Sequence, residues 1–110
     1  MQFPDIIHNL PEGIIPVAGL RGWLAQSPAG VVVFFVAEEA CVVPPHSHQG
    51  QWGTVVDGVA ELTAQGVTQV YGPGESYFIP AGVVHSAVLA KGTKLVEFFE
   101  EPDRFRVIGG

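Results

Sequence analysis

The chain has 110 residues, 47% of them hydrophobic, which favours one globular domain with a single buried core and excludes a disordered segment. Its formal net charge is −6 with only five Lys and Arg residues, so no basic patch is available to neutralise the phosphates of a nucleic acid or a membrane surface. The N-terminus lacks a charged region followed by an apolar one, and no apolar run approaches the ~20 residues of a membrane span. We therefore expect a soluble, cytoplasmic protein whose partner is a small molecule, with no nucleic acid and no membrane.

Residues 1–30 are expected to form an N-terminal segment that precedes the main body of the domain. Within it, residues 13–17 read Gly-Ile-Ile-Pro-Val and have few obvious roles inside one subunit. Such a strand can cover the exposed sheet edge of a neighbouring subunit, so the sequence predicts a homodimer. His8 lies in a loop-like part of the same segment and is not expected to bind a metal.

The body of the chain reads as short strands between turns. A Ser-Pro-Ala-Gly turn at residues 27–30 introduces the β-branched and aromatic run 31–37, and residues 41–44 form a second short extended segment. Neither has the spacing of a helix. Cys41 is the one cysteine of the sequence, which excludes an internal disulfide, and we expect it to be a small buried core residue.

Two histidines separated by one residue follow, in the sequence His-Ser-His-Gln-Gly-Gln at residues 46–51. Successive side chains of an extended strand point to opposite faces, so His46 and His48 share a face and can bind one ion. A third imidazole must come from elsewhere in the chain. His85 follows the apolar run 77–79 and a Pro-Ala-Gly turn, which places it at the start of another strand.

Turn residues divide the rest of the chain. Asp57-Gly58, the dipeptide most typical of a two-residue hairpin turn, separates the extended segments 53–56 and 59–63 and predicts that these segments pair. The last strand is expected over residues 94–100, and the tail after Pro102 looks peripheral. Strands at roughly 8–12-residue spacing, with 14 Gly and 9 Pro, indicate an all-β sandwich or barrel.

The two histidine segments resemble the two motifs of the cupin superfamily. The run from His46 to Gly58 is similar to the first motif, in which two histidines and usually a glutamate precede a glycine turn. The pattern Gly-x5-Pro-x-Gly-x2-His at residues 74–85 is similar to the second motif, which supplies a third histidine. The resemblance implies a double-stranded β-helix, or jelly-roll, barrel over about residues 31–100 of a single cupin domain of residues 1–110.

The resemblance also implies one bound divalent transition metal, with four ligating side chains: His46, His48, Gln51 and His85. Gln51 stands where the family usually has glutamate, and the gap after His48 is shorter than usual. Gln51 is expected to be a weak amide-oxygen ligand, the alternative being a residue that only hydrogen-bonds a bound water or substrate. Imidazole ligands are compatible with Fe, Mn, Ni, Co, Cu and Zn, so the sequence does not select the metal.

The parity of the strand after the histidines decides where Gln51 points. An uninterrupted strand from His48 would direct Gln51 away from the site, but Gly50 offers a break that can reset the alternation. On that interpretation Gln51, Gly53 and Val55 face inward, and Trp52 faces outward, toward the barrel exterior or a subunit contact.

Replacing the usual carboxylate by an amide changes the charge of the site. Three neutral imidazoles and a neutral amide leave the +2 charge of the ion uncompensated, so the metal becomes a stronger Lewis acid, is held less tightly and prefers an anionic oxygen ligand. An amide cannot act as a general base, so any base must be metal-bound hydroxide, another side chain or the substrate itself. Candidates for an apolar barrel lining are Phe35, Val55, Phe78, Phe98 and Phe99. Glu97 is either a pocket acid or an outward-facing charge, and the sequence does not fix its parity.

These features predict a metal-dependent cupin enzyme that acts on a small anionic or oxygen-rich organic substrate, with oxygenase (dioxygenase-like), isomerase and lyase chemistry all open. The alternative is a metal-dependent small-ligand-binding or sensor module without catalysis, and a third reading is a chiefly structural ion. Fold and metal site alone do not separate these functions.

Overall fold

Two antiparallel β-sheets form the structure, a computed structural model that describes residues 1–109. The elements are, in chain order, the short helix α1 (Asp5–His8) and the strands β1 (Leu20–Ser27), β2 (Gly30–Ala37), β3 (Cys41–His46), β4 (Gln51–Asp57), β5 (Ala60–Ala64), β6 (Val67–Tyr71), β7 (Ser76–Ile79), β8 (His85–Leu89) and β9 (Lys94–Phe99). One sheet has the order β1-β2-β9-β4-β7 and the other the order β3-β8-β5-β6. The expected all-β jelly-roll fold is confirmed. Within the described residues, no helix is long and apolar enough to cross a membrane.

The core lies between the sheets because strands such as β2 and β7 bury an apolar residue at every second position. In β2, Val31, Val33, Phe35 and Ala37 are buried, as the alternation predicts. Each large apolar side chain that is fully buried contributes about 1.5–3 kcal/mol relative to an exposed one, so this alternation fixes which face of the strand packs inward. Cys41 is also a buried core residue, as expected.

The predicted pairing across Asp57-Gly58 is wrong. β4 pairs with β7 and β9, whereas β5 pairs with β6 and β8, so the dipeptide carries the chain from one sheet to the other. Gly58 has a φ of +81°, and a Cβ at this position would lie 2.6 Å from the Cα of Thr93. The two-residue hairpin lies instead at Gln65-Gly66, where both φ angles are positive and β5 pairs with β6.

Both termini belong to the barrel more closely than the sequence suggested. β1 pairs with β2 along its whole length, so the sheet begins at Leu20, ahead of residue 31. Ile15 and Val17 pack against the core of their own chain, which gives the apolar segment 13–17 an intramolecular role that we did not expect. At the other end, Phe105 packs against the core, so the tail is not peripheral.

Candidate metal centre

Three histidines converge at one end of the barrel. His46 ends β3 and His85 begins β8, and the two residues are direct partners in the antiparallel pairing of these strands. His48 follows in the loop after β3. The nearest ring nitrogens of the three side chains all lie within 4.8 Å of one another, which is close enough for one ion to be bound by all three. The structure therefore brings together the three histidines that the spacing indicated.

Each imidazole is oriented by a backbone carbonyl. The Nδ1 atom of His46 lies 2.8 Å from the oxygen of Pro44, that of His48 lies 2.6 Å from the oxygen of Gln49, and that of His85 lies 2.9 Å from the oxygen of Val83. A carbonyl oxygen only accepts, so each Nδ1 carries the proton and donates it. Each Nε2 is left with a free lone pair, as a metal ligand requires.

Two of these Nε2 atoms are buried without any hydrogen-bond partner among the described residues, those of His48 and His85. Buried polar atoms almost always have a hydrogen-bond partner. Two neighbouring Nε2 atoms without one therefore indicate that a ligand belongs between them. Burial lowers the pKa of both imidazoles, and the nearby positive charge of Arg104 and the neighbouring histidines add to this, against the raising effect of the carbonyl hydrogen bonds. The rings are therefore neutral at neutral pH, and the donor set fits a divalent transition metal.

His8, the remaining histidine of the chain, lies outside this cluster. Its ring packs edge-on against Trp23, with 4.4 Å between the ring centroids. The contact gives His8 a packing role, and that it binds no metal stays a prediction.

Gln51 lines the same cavity as His46 and His85. Its side-chain nitrogen donates a hydrogen bond of 2.6 Å to Glu97, and its Oε1 is buried with no partner in the described part of the chain. The amide oxygen is thus the end of the side chain that remains available to a cavity ligand. Whether it binds the metal directly stays a prediction.

The predicted parity of β4 is right. Gln51, Gly53 and Val55 are buried, whereas Trp52 is 44% exposed. The alternation of side chains is interrupted at Gly50, as expected, but Gly50 does not adopt a positive φ. Glycine is needed here for another reason. Its N–H donates to the carboxylate of Glu100 at 2.9 Å, and a Cβ here would lie 2.1 Å from that same oxygen.

The orientation of Glu97, which the sequence left open, is inward. The side chain is only 6% exposed and accepts hydrogen bonds from the Gln51 amide and the Tyr77 hydroxyl. Burial raises the pKa of Glu97 to about 7, although both hydrogen bonds lower it. Burial and the neighbouring Glu97 also raise the pKa of the Tyr77 hydroxyl, which keeps it a donor. An acidic side chain, that of Glu97, is thus hydrogen-bonded directly to Gln51. We had expected the +2 charge of the ion to have no acidic group near it.

His46 and His85 border a cavity of about 270 Å³ with mostly apolar walls. Among the expected lining residues, Phe35 and Phe99 line it, whereas Phe78 does not, since it lies on the outer face of its sheet and is 66% exposed. The prediction that Phe98 lines the cavity is also wrong, because Phe98 lies between the inward residues Glu97 and Phe99 along β9 and so points to the outer face. Val55 is buried in the core between the sheets.

Arg104 also lines this cavity, and sequence reasoning missed it. Its guanidinium lies 4.8 Å from the ring centre of Phe105 and 5.8 Å from that of Phe99. Its Nε is buried without a hydrogen-bond partner, and the side chain forms no ion pair within residues 1–109. The available signal was that Arg104 is one of only five cationic side chains in an acidic protein and precedes an aromatic residue, but it falls in the tail that looked peripheral.

Comparisons with known proteins agree with this architecture. A family model described as a cupin domain matches residues 32–100. Among solved structures, the chain is similar to an RmlC-like cupin from Shewanella frigidimarina, with 26% identity and a TM-score of 0.77 over 94% of this chain and 90% of the other. It is similar to KdgF from Halomonas sp., with 24% identity and a TM-score of 0.71 over 83% of this chain and 87% of the other.

A third similar structure is a variant of oxalate decarboxylase from Bacillus subtilis, with 16% identity and a TM-score of 0.71; the match covers 87% of this chain and 28% of that enzyme. At these identities, the last two likenesses show the fold alone. The search of curated proteins gives no match.

Proposed function

The chain belongs to the cupin family, and on that premise we propose that it is a metal-dependent enzyme whose substrate is a small carboxylate. The observation that carries the proposal is that two of the three convergent imidazoles, those of His46 and His85, line the same cavity as the unpaired guanidinium of Arg104. A structural ion alone would not need the second group. The substrate would be held between the two.

The residues that would hold the metal are His46, His48 and His85 through Nε2, with Gln51 through Oε1. When bound, the ion supplies Lewis-acid polarisation of an oxygen atom of the substrate. The backbone carbonyls that accept from Nδ1 hold the three rings in the tautomer that leaves each Nε2 free for the metal. The chain thus contributes a preformed ligand set.

Arg104 is the residue that would bind the carboxylate. A guanidinium presents a planar fork of N–H donors that matches a carboxylate in a bidentate arrangement. The aromatic rings of Phe99 and Phe105 hold the fork in place, and its positive charge acts on the pKa of His48 and His85. The positive charge of Arg104 therefore acts on the histidine cluster, and an anion between Arg104 and a bound metal ion would be stabilised by both.

The walls of the cavity limit what can bind. Its volume of about 270 Å³ lies just below the ~300–1,000 Å³ typical of ligand pockets, so the substrate is small. Apolar side chains exclude water, which strengthens the polar interactions inside. Oxalate decarboxylase, which has the same fold and is described with Mn(II) centres, is named for a small dicarboxylate, so this fold accommodates such chemistry.

The test compares two arginines that lie two positions apart. Arg104→Gln removes the proposed carboxylate partner, whereas Arg106→Gln makes the same charge change at an exposed side chain. Hydrogen bonds to charged groups contribute ~1.5–3 kcal/mol, so Arg104→Gln should weaken binding of small carboxylates to the metal-loaded protein at least about tenfold. Calorimetry with a panel of carboxylates and their uncharged amides measures this. Equal affinities for acid and amide, or equal effects of both substitutions, would contradict the proposal.

Reaction type is decided by the metal and by turnover. Iron in anaerobically purified protein would favour oxygenase chemistry, and zinc, which has no redox chemistry, would favour an isomerase or lyase. One observation favours a second candidate, a metal-dependent binding or sensor module: Oε2 of Glu97, a carboxylate that lines the cavity, already accepts hydrogen bonds from Gln51 and Tyr77, which makes it a weaker base. Carboxylate binding without turnover of any bound compound would support that module.

A further inference from the structure

A buried row of three side chains ends at the metal centre. The Tyr77 hydroxyl and the Gln51 amide nitrogen both donate to the same oxygen, Oε2 of Glu97. All three residues are buried, and Gly53 makes room for them, because a Cβ there would lie 2.6 Å from that oxygen and 2.6 Å from the Tyr77 ring. The proposed function assigns no role to Tyr77 or Glu97.

A glutamine at a metal centre has an orientation problem that a glutamate does not have. Only the amide oxygen can bind a cation, because the NH2 end has no lone pair available for it. The two oxygens of a carboxylate are equivalent, so either one serves. An amide in a largely apolar cavity therefore needs a hydrogen-bond acceptor that binds its NH2 end.

We propose that Glu97 is a positioning residue of the metal centre: its carboxylate binds the NH2 end of Gln51 and so turns the amide oxygen toward the metal, while Tyr77 holds the carboxylate in place. The proposal accounts for Oε1 of Gln51, which is buried and has no hydrogen-bond partner among the described residues. It rests on the metal site of the proposed function.

The first measurement is the affinity of the metal-free protein for Zn²⁺ alone, determined by competition with a chelator. Glu97→Met has nearly the same length but replaces the carboxylate by a thioether, which is only a weak acceptor, and loss of such an outer partner typically costs about 10–100-fold in metal affinity. Glu97→Gln keeps a carbonyl oxygen for both donors and should bind Zn²⁺ much as the parent protein does. Wild-type affinity in Glu97→Met would overturn the proposal.

The second measurement separates orientation from a merely structural role. Gln51→Glu presents two equivalent oxygens, so in this background the Glu97→Met substitution should no longer weaken Zn²⁺ binding. A structural role of Glu97 would lower the affinity equally in both backgrounds, and that result would overturn the proposal. Circular dichroism of all four proteins checks that they are folded.

A third measurement decides the matter if Glu97→Met does not fold. In the zinc-loaded parent protein, the side-chain NH2 signals of Gln51, assigned by their loss in Gln51→Ala, should exchange slowly with solvent because Glu97 binds them. Rapid exchange would overturn the proposal. Failure of the parent protein to bind any divalent metal would instead refute the proposed function, so the two failures are distinguishable.

Discussion

At the scale of single residues, the metal centre depends on three imidazoles that carbonyl groups hold in one tautomer. Substituting His46, His48 or His85 by Ala should each lower metal occupancy substantially, because each removes one of three convergent Nε2 atoms. His8→Ala is the matched control, since His8 packs against Trp23. Metal analysis of the purified variants measures this, and equal occupancy in all four would contradict the assignment.

Glu97 should make the stability of the metal-free protein depend on pH. Its pKa is about 7 in the folded chain against an ordinary glutamate value of 4.5, so between these values the folded state binds more protons than the unfolded state does. The free energy of unfolding therefore falls as pH rises from about 4.5 through 7, by on the order of 3 kcal/mol. Glu97→Gln lacks this titration.

Urea denaturation of the metal-free parent and of Glu97→Gln at pH 5 and pH 8 measures the difference. The stability of the variant relative to the parent should increase with pH, and the contributions of His48 and His85 cancel because both proteins contain them. Parallel pH profiles would show that Glu97 titrates normally in the folded protein.

At the scale of elements, the connection between β4 and β5 depends on the absence of a side chain at one position. Gly58→Ala adds a Cβ that would lie 2.6 Å from Thr93 Cα at a φ of +81°, which combines backbone strain with a steric clash. We expect a loss of about 2–4 kcal/mol of unfolding free energy. Gly74→Ala is the control, because Gly74 has a φ of +85° but nothing within 4 Å of the added atom, so only strain applies, at about 1–2 kcal/mol.

Urea denaturation of the two glycine variants separates the cost of backbone strain from the cost of the steric clash. The difference between them measures the contact with Thr93, which joins the turn after β4 to the residue before β9. If both variants lose the same stability, the close approach is relieved by a small shift of the backbone and only the strain matters.

At the scale of the whole molecule, the homodimer stays a prediction, but the surface that would form it has changed. Segment 13–17 packs in its own subunit, whereas Trp52 and Phe78 form a neighbouring exposed pair on the outer face of the five-stranded sheet, 44% and 66% exposed. Light scattering at micromolar concentration should give a dimeric mass.

Phe78→Glu should give a monomer, because it places a charge in the exposed aromatic pair. Val70→Glu is a matched control on the other sheet, where Val70 is 63% exposed, and should leave the dimer intact. A monomeric mass for the parent protein would reject the homodimer altogether. Dissociation by Val70→Glu alone would transfer the interface to the four-stranded sheet.

The local order of the chain is what the sequence by itself determined. Most of the strands, the all-β class and the histidine pattern follow from alternation and turn chemistry among neighbouring residues, whereas the inward side of Gln51 also required a break at Gly50. A shift of one residue would expose a whole row of apolar side chains, so the sequence of each segment strongly determines which of its faces is buried.

Only the tertiary structure decided which strands pair and which distant side chains meet. β4 and β5 pair with other strands, although the turn between them suits a hairpin, because each strand gains its partners from the sheet in which its apolar face is buried. Gln51 and Glu97 lie 46 positions apart, and Arg104 reaches the cavity from the tail. No local pattern constrains such contacts, since they depend on how the two sheets and the C-terminal tail pack around one shared core.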